Sequence, residues 1–216
     1  MLGILYLTIV REMVIQTKEM IMVKSLEMFA RGGYDSVSIR DIAKAVNIKE
    51  SSIYYHFENK QDVLNSILTG YEQHIQKLTE VLTEEIAECK RSSRFSLLPL
   101  KETYFQQYLL DPFCNQVMRL LMIEQLKDEK IHVLYDHYLF KLPQKIQKEA
   151  FSALVEKGML SEVNAERMQR ELFDSITALT FEYLLSGEPD EEKNRMFLKK
   201  AENCLEKISK EGQSNG

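Results

Sequence analysis

From Val63 to Ile86, apolar residues return every three or four positions: Val63, Leu64, Ile67, Leu68, Tyr71, Ile75, Leu78, Val81, Leu82 and Ile86. On a helix of about 3.6 residues per turn that spacing makes one continuous stripe, whereas a strand would scatter it over both faces. It predicts a single long helix over Lys60–Arg91. With only 8 Gly and 4 Pro in 216 residues, little interrupts such a pattern elsewhere, and the fold class expected is all-α.

The remaining elements follow from their ends. Thr17 can cap a helix that runs to Arg31 with Ile21, Met22, Ser25, Leu26, Met28 and Phe29 inward, and Gly32-Gly33 stops it. Ser38 and Asp41 have the spacing of a capping box, so a short second helix starts there with Ile39, Ile42, Ala43 and Val46 inward. Asn47 is the non-glycine residue best suited to a left-handed turn. A third helix is expected over Lys49–Phe57, anchored by Ile48 and Ile53. Two short helices joined by a tight turn make a helix-turn-helix over 38–57.

Beyond Arg91, Ser92-Ser93-Arg94 and Pro99 read as loop, followed by helices near 100–110, 111–127 and 129–158. Pro112 falls at a helix start, where proline is tolerated, but Pro143 should kink or split the third of these. Helices near 164–186 and 190–210 end the pattern, and Gln213–Gly216 reads as a frayed tail. The chain divides into an N-terminal extension of unknown role (1–14), a helix-turn-helix domain (15–75) and a larger helical domain (76–216). Residues 1–10 are apolar except Thr8. They lack the preceding positive charge and following cleavage pattern of a signal peptide and are too few to span a bilayer, so they read as an upstream extension or a helical arm.

Several function classes are excluded. No Ser/His/Asp ordering, phosphate-binding glycine loop or metal-ligand spacing is present, so neither an enzyme nor a cofactor or metal site is expected. Cys89, Cys114 and Cys204 are odd in number and widely spaced, which reads as free thiols in a reducing cytoplasm. The net charge of -5 does not announce a nucleic-acid binder. Any phosphate affinity would come from placement rather than from a basic stripe.

The order and spacing of Phe29, Gly33-Tyr34, Ser38, Ile42-Ala43, Ile53-Tyr54-Tyr55-His56-Phe57 and Asn59-Lys60 resemble the N-terminal domain of TetR-type transcriptional regulators, over about residues 15–75. The resemblance implies a repressor released from a pseudo-palindromic operator on double-stranded DNA by an unknown small molecule. It implies that Ser38 caps the second helix and faces phosphate and that Arg40 reaches DNA from that helix. Lys49, Glu50, Ser51 and Ser52 would open the recognition helix, with Tyr54 towards the groove, Tyr55 against the sugar-phosphate wall, and His56 and Lys60 on phosphate. It also implies a homodimer through the last two helices, which would set two recognition helices about 34 Å apart.

Three positions depart from the family pattern. Asn47 replaces the usual glycine; Lys49 replaces a Ser or Thr cap, which leaves the third helix less well capped or capped by Asn47; and Glu50 brings a negative charge near DNA, where it could accept from a cytosine amino group or, the better neighbour for a carboxylate near phosphates, point to solvent. In the larger domain Tyr104, Tyr108, Met118, Met122, Tyr135 and Tyr138 could line an apolar effector pocket or could be plain core. Rival readings are a DNA-binding protein of the same fold with a structural or division-control role and no effector, and a helical interaction module without DNA binding.

Overall fold

The computed structural model describes the backbone of residues 2–91, 100–188 and 190–214, and side chains from residue 15 onward except at 92–100, 189, 209 and 211–216. Among the described residues no strand occurs. The expected loop residues Ser92-Ser93-Arg94 and Pro99 lie outside the described residues. The α-helices are α1 (Leu2–Gly32), α2 (Ile39–Val46), α3 (Glu50–Ile53), α4 (Lys60–Arg91), α5 (Pro112–Glu124), α6 (Glu129–Asp136), α7 (Leu142–Glu156), α8 (Glu162–Leu179) and α9 (Glu191–Ser214). The stretches Leu100–Leu109, His137–Lys141 and Thr180–Leu185 are π-helical. No described helix is long and apolar enough to cross a membrane.

The chain forms two compact units, residues 1–72 and 73–216, so the division falls within α4, as does the expected boundary at 75. The core of the first unit is the meeting of α1 to α4: Ile21, Leu26, Phe29, Ile42, Ile53, Phe57, Val63 and Ile67 are almost wholly buried. Burying such side chains is worth roughly 1.5–3 kcal/mol each, and it is this, not local propensity, that holds helices as short as α2 and α3. Met22, Met28, Ile39 and Val46, expected inward, are only half-buried, and Val81 is 50% exposed.

Two helix limits differ from expectation. α1 does not start at Thr17; its backbone runs from Leu2, because no proline interrupts the chain between Leu2 and Gly32. Helix α3 is four residues, not nine. After Ile53 the chain closes a turn in which the His56 and Phe57 N–H groups both donate to the Ile53 carbonyl, at 2.9 Å each.

In the second unit, Pro143 does break the helical ladder, but the chain does not leave its path. The π-turn His137–Lys141 absorbs the change, and the Leu142 N–H donates to the His137 carbonyl. Pro143 cannot donate, so the Tyr138 carbonyl, five residues back, loses its π-type partner. The buried hydroxyl of Tyr108 donates to that carbonyl at 2.6 Å.

Candidate nucleic-acid interface

The helix-turn-helix is built from local chemistry. The Asp41 N–H donates to Ser38 Oγ at 3.2 Å, and the Ser38 N–H donates to Asp41 Oδ2 at 2.9 Å, completing the capping box. Hydrogen bonds from Ser38 hold the Asp41 carboxyl below its ordinary range. Asn47 ends α2 with φ 59° and ψ 43°, and its N–H returns to the Ala43 and Lys44 carbonyls. Lys49 precedes α3 in an extended conformation and gives it no side-chain cap. Asn59 caps α4: the Asp62 N–H donates to Asn59 Oδ1 at 3.0 Å, and the Glu58 N–H donates to Asp62 Oδ2 at 3.0 Å.

Ile53 and Phe57 turn into the core, so the residues between them turn out. Tyr54 is 56% exposed and Tyr55 75% exposed. The Tyr55 and His56 rings meet edge to face at 5.2 Å. Burial, then the Lys18 charge, push the His56 imidazole below its ordinary value of 6.5. It is therefore neutral at pH 7 and offers one ring N–H. Ser38, Arg40, Lys49, Glu50 and Ser51 are exposed and Ser52 half-buried, so all of the expected contact residues on α2 and α3 belong to the first unit's surface.

Lys60 has partners within the fold. Its Nζ donates to the carbonyls of Tyr34 at 2.9 Å and Val37 at 2.8 Å and lies 4.0 Å from the centroid of the Tyr34 ring. Two of its three protons thus tie α4 to the connector between α1 and α2, and a phosphate would compete with those carbonyls. No sequence pattern signals this, since the partners are 23 and 26 residues away.

In the second unit Tyr104, Tyr108, Met118 and Tyr138 are buried, and Met122 and Tyr135 are half-buried. A cavity of about 20 Å³ is bounded by Tyr104, Met118, Tyr138 and Thr180 among others, and one of about 10 Å³ by Tyr104 and Tyr108. Met122 and Tyr135 line neither. Such volumes hold a water molecule, while a small-molecule site needs about 300–1,000 Å³. One polar group is nonetheless buried there: Thr180 Oγ1, on the wall of the larger cavity, lacks a hydrogen-bond partner. A much larger open groove, about 930 Å³, lies between α7 and α8, with Lys145 and Lys148 on one wall and Glu162 and Glu166 on the other. His74, Asp111 and Cys114 bring their ligand atoms within 4.8 Å of one another, a convergence invisible in spacing because His74 lies on a different helix.

Comparison with known proteins agrees with this geometry. Residues 21–67 match the family described as bacterial regulatory proteins, tetR family. Over 89 residues the chain is 33% identical to the Staphylococcus aureus "Biofilm operon icaADBC HTH-type negative transcriptional regulator IcaR", a stretch covering 41% of this chain and 44% of that one. The protein of the same description from Staphylococcus epidermidis is 41% identical over 46 residues, 21% of this chain and 25% of that one. The chain thus spans less than half the length of these curated relatives. The fold resembles that of a TetR-family transcriptional regulator from Mesorhizobium loti (TM-score 0.60, 15% identity, covering 89% of this chain and 95% of that one). It also resembles a regulator from Aquifex aeolicus (TM-score 0.59, 21% identity, covering 89% and 99%).

Proposed function

We propose that this chain, whose N-terminal domain is of the tetR type and whose fold is that of TetR-family regulators, is a DNA-binding transcriptional repressor working as a homodimer in the cytoplasm. The observation that carries the reading is the pair Tyr54 and Tyr55. Folding requires neither ring to stand in solvent, yet both do, between the core anchors Ile53 and Phe57. Rigid aromatic bodies with hydroxyl tips suit a surface that is apolar at the sugars and anionic at the phosphates. Ser38, Arg40, Lys49, Tyr55 and His56 would contact the backbone, with Ser51, Ser52 and Tyr54 at the bases and Glu50 towards solvent. The negative regulation named for the staphylococcal relatives supports repression.

Dimerisation through α8 with its π-helical end, together with α9, is supported by the likeness of fold and by the outer wall of α8. There Glu162 and Glu166 face the basic Lys145 and Lys148 across a groove that a second copy could enter. Release by a small molecule is part of the same proposal: a ligand that binds one dimer geometry better than another shifts the population away from the DNA-competent one. The buried Thr180 hydroxyl would supply a polar contact. The small core cavities favour a second reading, in which the protein regulates without such an effector. Titration of an operator complex with candidate ligands separates the two: ligand-dependent loss of DNA affinity supports the first reading, and constant affinity supports the second.

A further inference from the structure

Three side chains that no sequence motif connects converge in the second unit. His74 projects from α4, Asp111 is the N-cap of α5 and Cys114 lies in the first turn of α5. A ring nitrogen, a carboxylate oxygen and the thiol sulfur all lie within 4.8 Å of one another. We infer that His74, Asp111 and Cys114 form a binding site for a thiophilic divalent cation, with Zn²⁺ the ion whose ligand chemistry they match.

The donor set selects the ion. One sulfur, one imidazole nitrogen and one carboxylate oxygen suit zinc, which takes all three types and accepts three protein ligands with water in the fourth position. Calcium and magnesium require oxygen cages and would gain nothing from the thiol. The distances are within reach. Zinc bonds of about 2.0–2.3 Å in tetrahedral geometry set the ligand atoms roughly 3.5 Å apart. Closing the cluster therefore takes small side-chain adjustments, and His74 is exposed and can turn.

The other two ligands are already oriented. Asp111 Oδ1 accepts the Cys114 N–H at 2.8 Å, which holds the carboxylate beside the thiol. The ring of Phe113 meets the His74 ring edge to face at 6.1 Å. Cys114 is fully buried, so the sulfur would be screened from solvent while His74 and a water close the outer side. Capping explains Asp111 and burial explains Cys114, but neither explains the histidine brought against both. Burial, followed by the Asp111 charge, holds the free thiol above its ordinary range. Binding therefore releases the Cys114 proton to solvent as the sulfur–metal bond forms.

The test needs no DNA and is independent of the regulatory reading. Full-length protein is titrated with Co²⁺, whose thiolate charge-transfer absorption reports sulfur ligation, and then with Zn²⁺ in competition with a chromophoric chelator. One Co²⁺ per chain is expected, with a thiolate band that Zn²⁺ bleaches. The band should survive the Cys89→Ser/Cys204→Ser double substitution and disappear in Cys114→Ser. His74→Ala lies at the surface and should leave helicity intact while weakening Co²⁺ binding by roughly 10–100-fold or more. Asp111→Asn should also weaken it, although asparagine caps a helix as well as aspartate does, so it reports ligation even where Cys114→Ser fails to fold. Absence of a thiolate band, loss of the band in Cys89→Ser/Cys204→Ser, or unchanged affinity in His74→Ala would overturn the site.

Discussion

The ammonium of Lys60 sits 4.0 Å from the centre of the Tyr34 ring and donates to the Tyr34 carbonyl at 2.9 Å, so the first residue of α4 is fastened to the chain between α1 and α2. With the second bond to Val37 this makes Lys60 a clamp on the helix-turn-helix. Lys60→Ala should lower the stability of the protein by about 1–3 kcal/mol, since two hydrogen bonds to a charged group are lost. Because the charge serves the fold, the slope of log affinity against log salt should stay within less than about 1 per subunit of the parent value, whereas removal of a phosphate contact lowers it by about that amount. Denaturant unfolding and salt-dependent binding of duplex DNA measure the two effects separately.

Ser38→Ala removes the side-chain acceptor at the start of α2 and should cost about 0.5–2 kcal/mol at neutral pH. The box also titrates. Asp41 has a folded pKa below its unfolded value, so its contribution is present above the unfolded pKa and is lost as pH falls through the folded one. The stability difference between parent and Ser38→Ala should therefore shrink in acid below the ordinary Asp range, as thermal melts at neutral and acidic pH would record.

Asn47 pays for its left-handed conformation only in part. Asn47→Gly should be neutral or stabilising, and Asn47→Ala should destabilise by about 1–2 kcal/mol, because φ is 59° there. Equal unfolding midpoints for the two variants would contradict the assignment of that turn.

His56 gives DNA binding a pH dependence. Its folded pKa lies below 6.5, so the imidazole is neutral at pH 7 and charges only as pH falls below its ordinary range. A nearby phosphate favours the charged form, so affinity for duplex DNA should rise as pH drops through that window, while the folded protein itself loses stability there. His56→Gln should remove the pH-dependent increment, read by fluorescence anisotropy at fixed ionic strength.

Tyr108→Phe should cost about 1–3 kcal/mol by removing the buried hydrogen bond from the Tyr108 hydroxyl to the Tyr138 carbonyl. Pro143→Ala restores an N–H to that part of the helix, so the double variant should lose less than the two single losses combined. A double-mutant cycle gives the coupling directly.

Features written in adjacent residues were legible in the sequence. The Ser38–Asp41 box, the Asn47 turn, the weak capping at Lys49 and the interruption at Pro143 are each decided within a few residues. What stayed hidden depends on partners far along the chain. The Lys60 clamp joins residues 23 and 26 apart. The Tyr108 hydroxyl that repairs the break at Pro143 comes from another helical segment, and His74 meets Cys114 only once α4 and α5 are both in place. The length of α3 was overestimated for a related reason: Tyr54-Tyr55-His56 has helical composition, but packing of Ile53 and Phe57 into one core closes a turn there instead. Tyr104, Tyr108, Met118 and Tyr138 of the aromatic and methionine stripe are buried, but periodicity carries no information on whether an interior is filled or hollow.

The central claim is that the surface around Ser38, Tyr54, Tyr55 and His56 holds duplex DNA. Footprinting and anisotropy with DNA from upstream of the protein's own coding region, in a series of salt concentrations, test it most directly. A protected site with two half-sites about 34 Å apart is expected. Affinity should fall with salt at a slope of about -0.9 per phosphate neutralised, and Tyr55→Ala should weaken it strongly. Absence of protection, or binding indifferent both to salt and to Tyr55→Ala, would contradict the account.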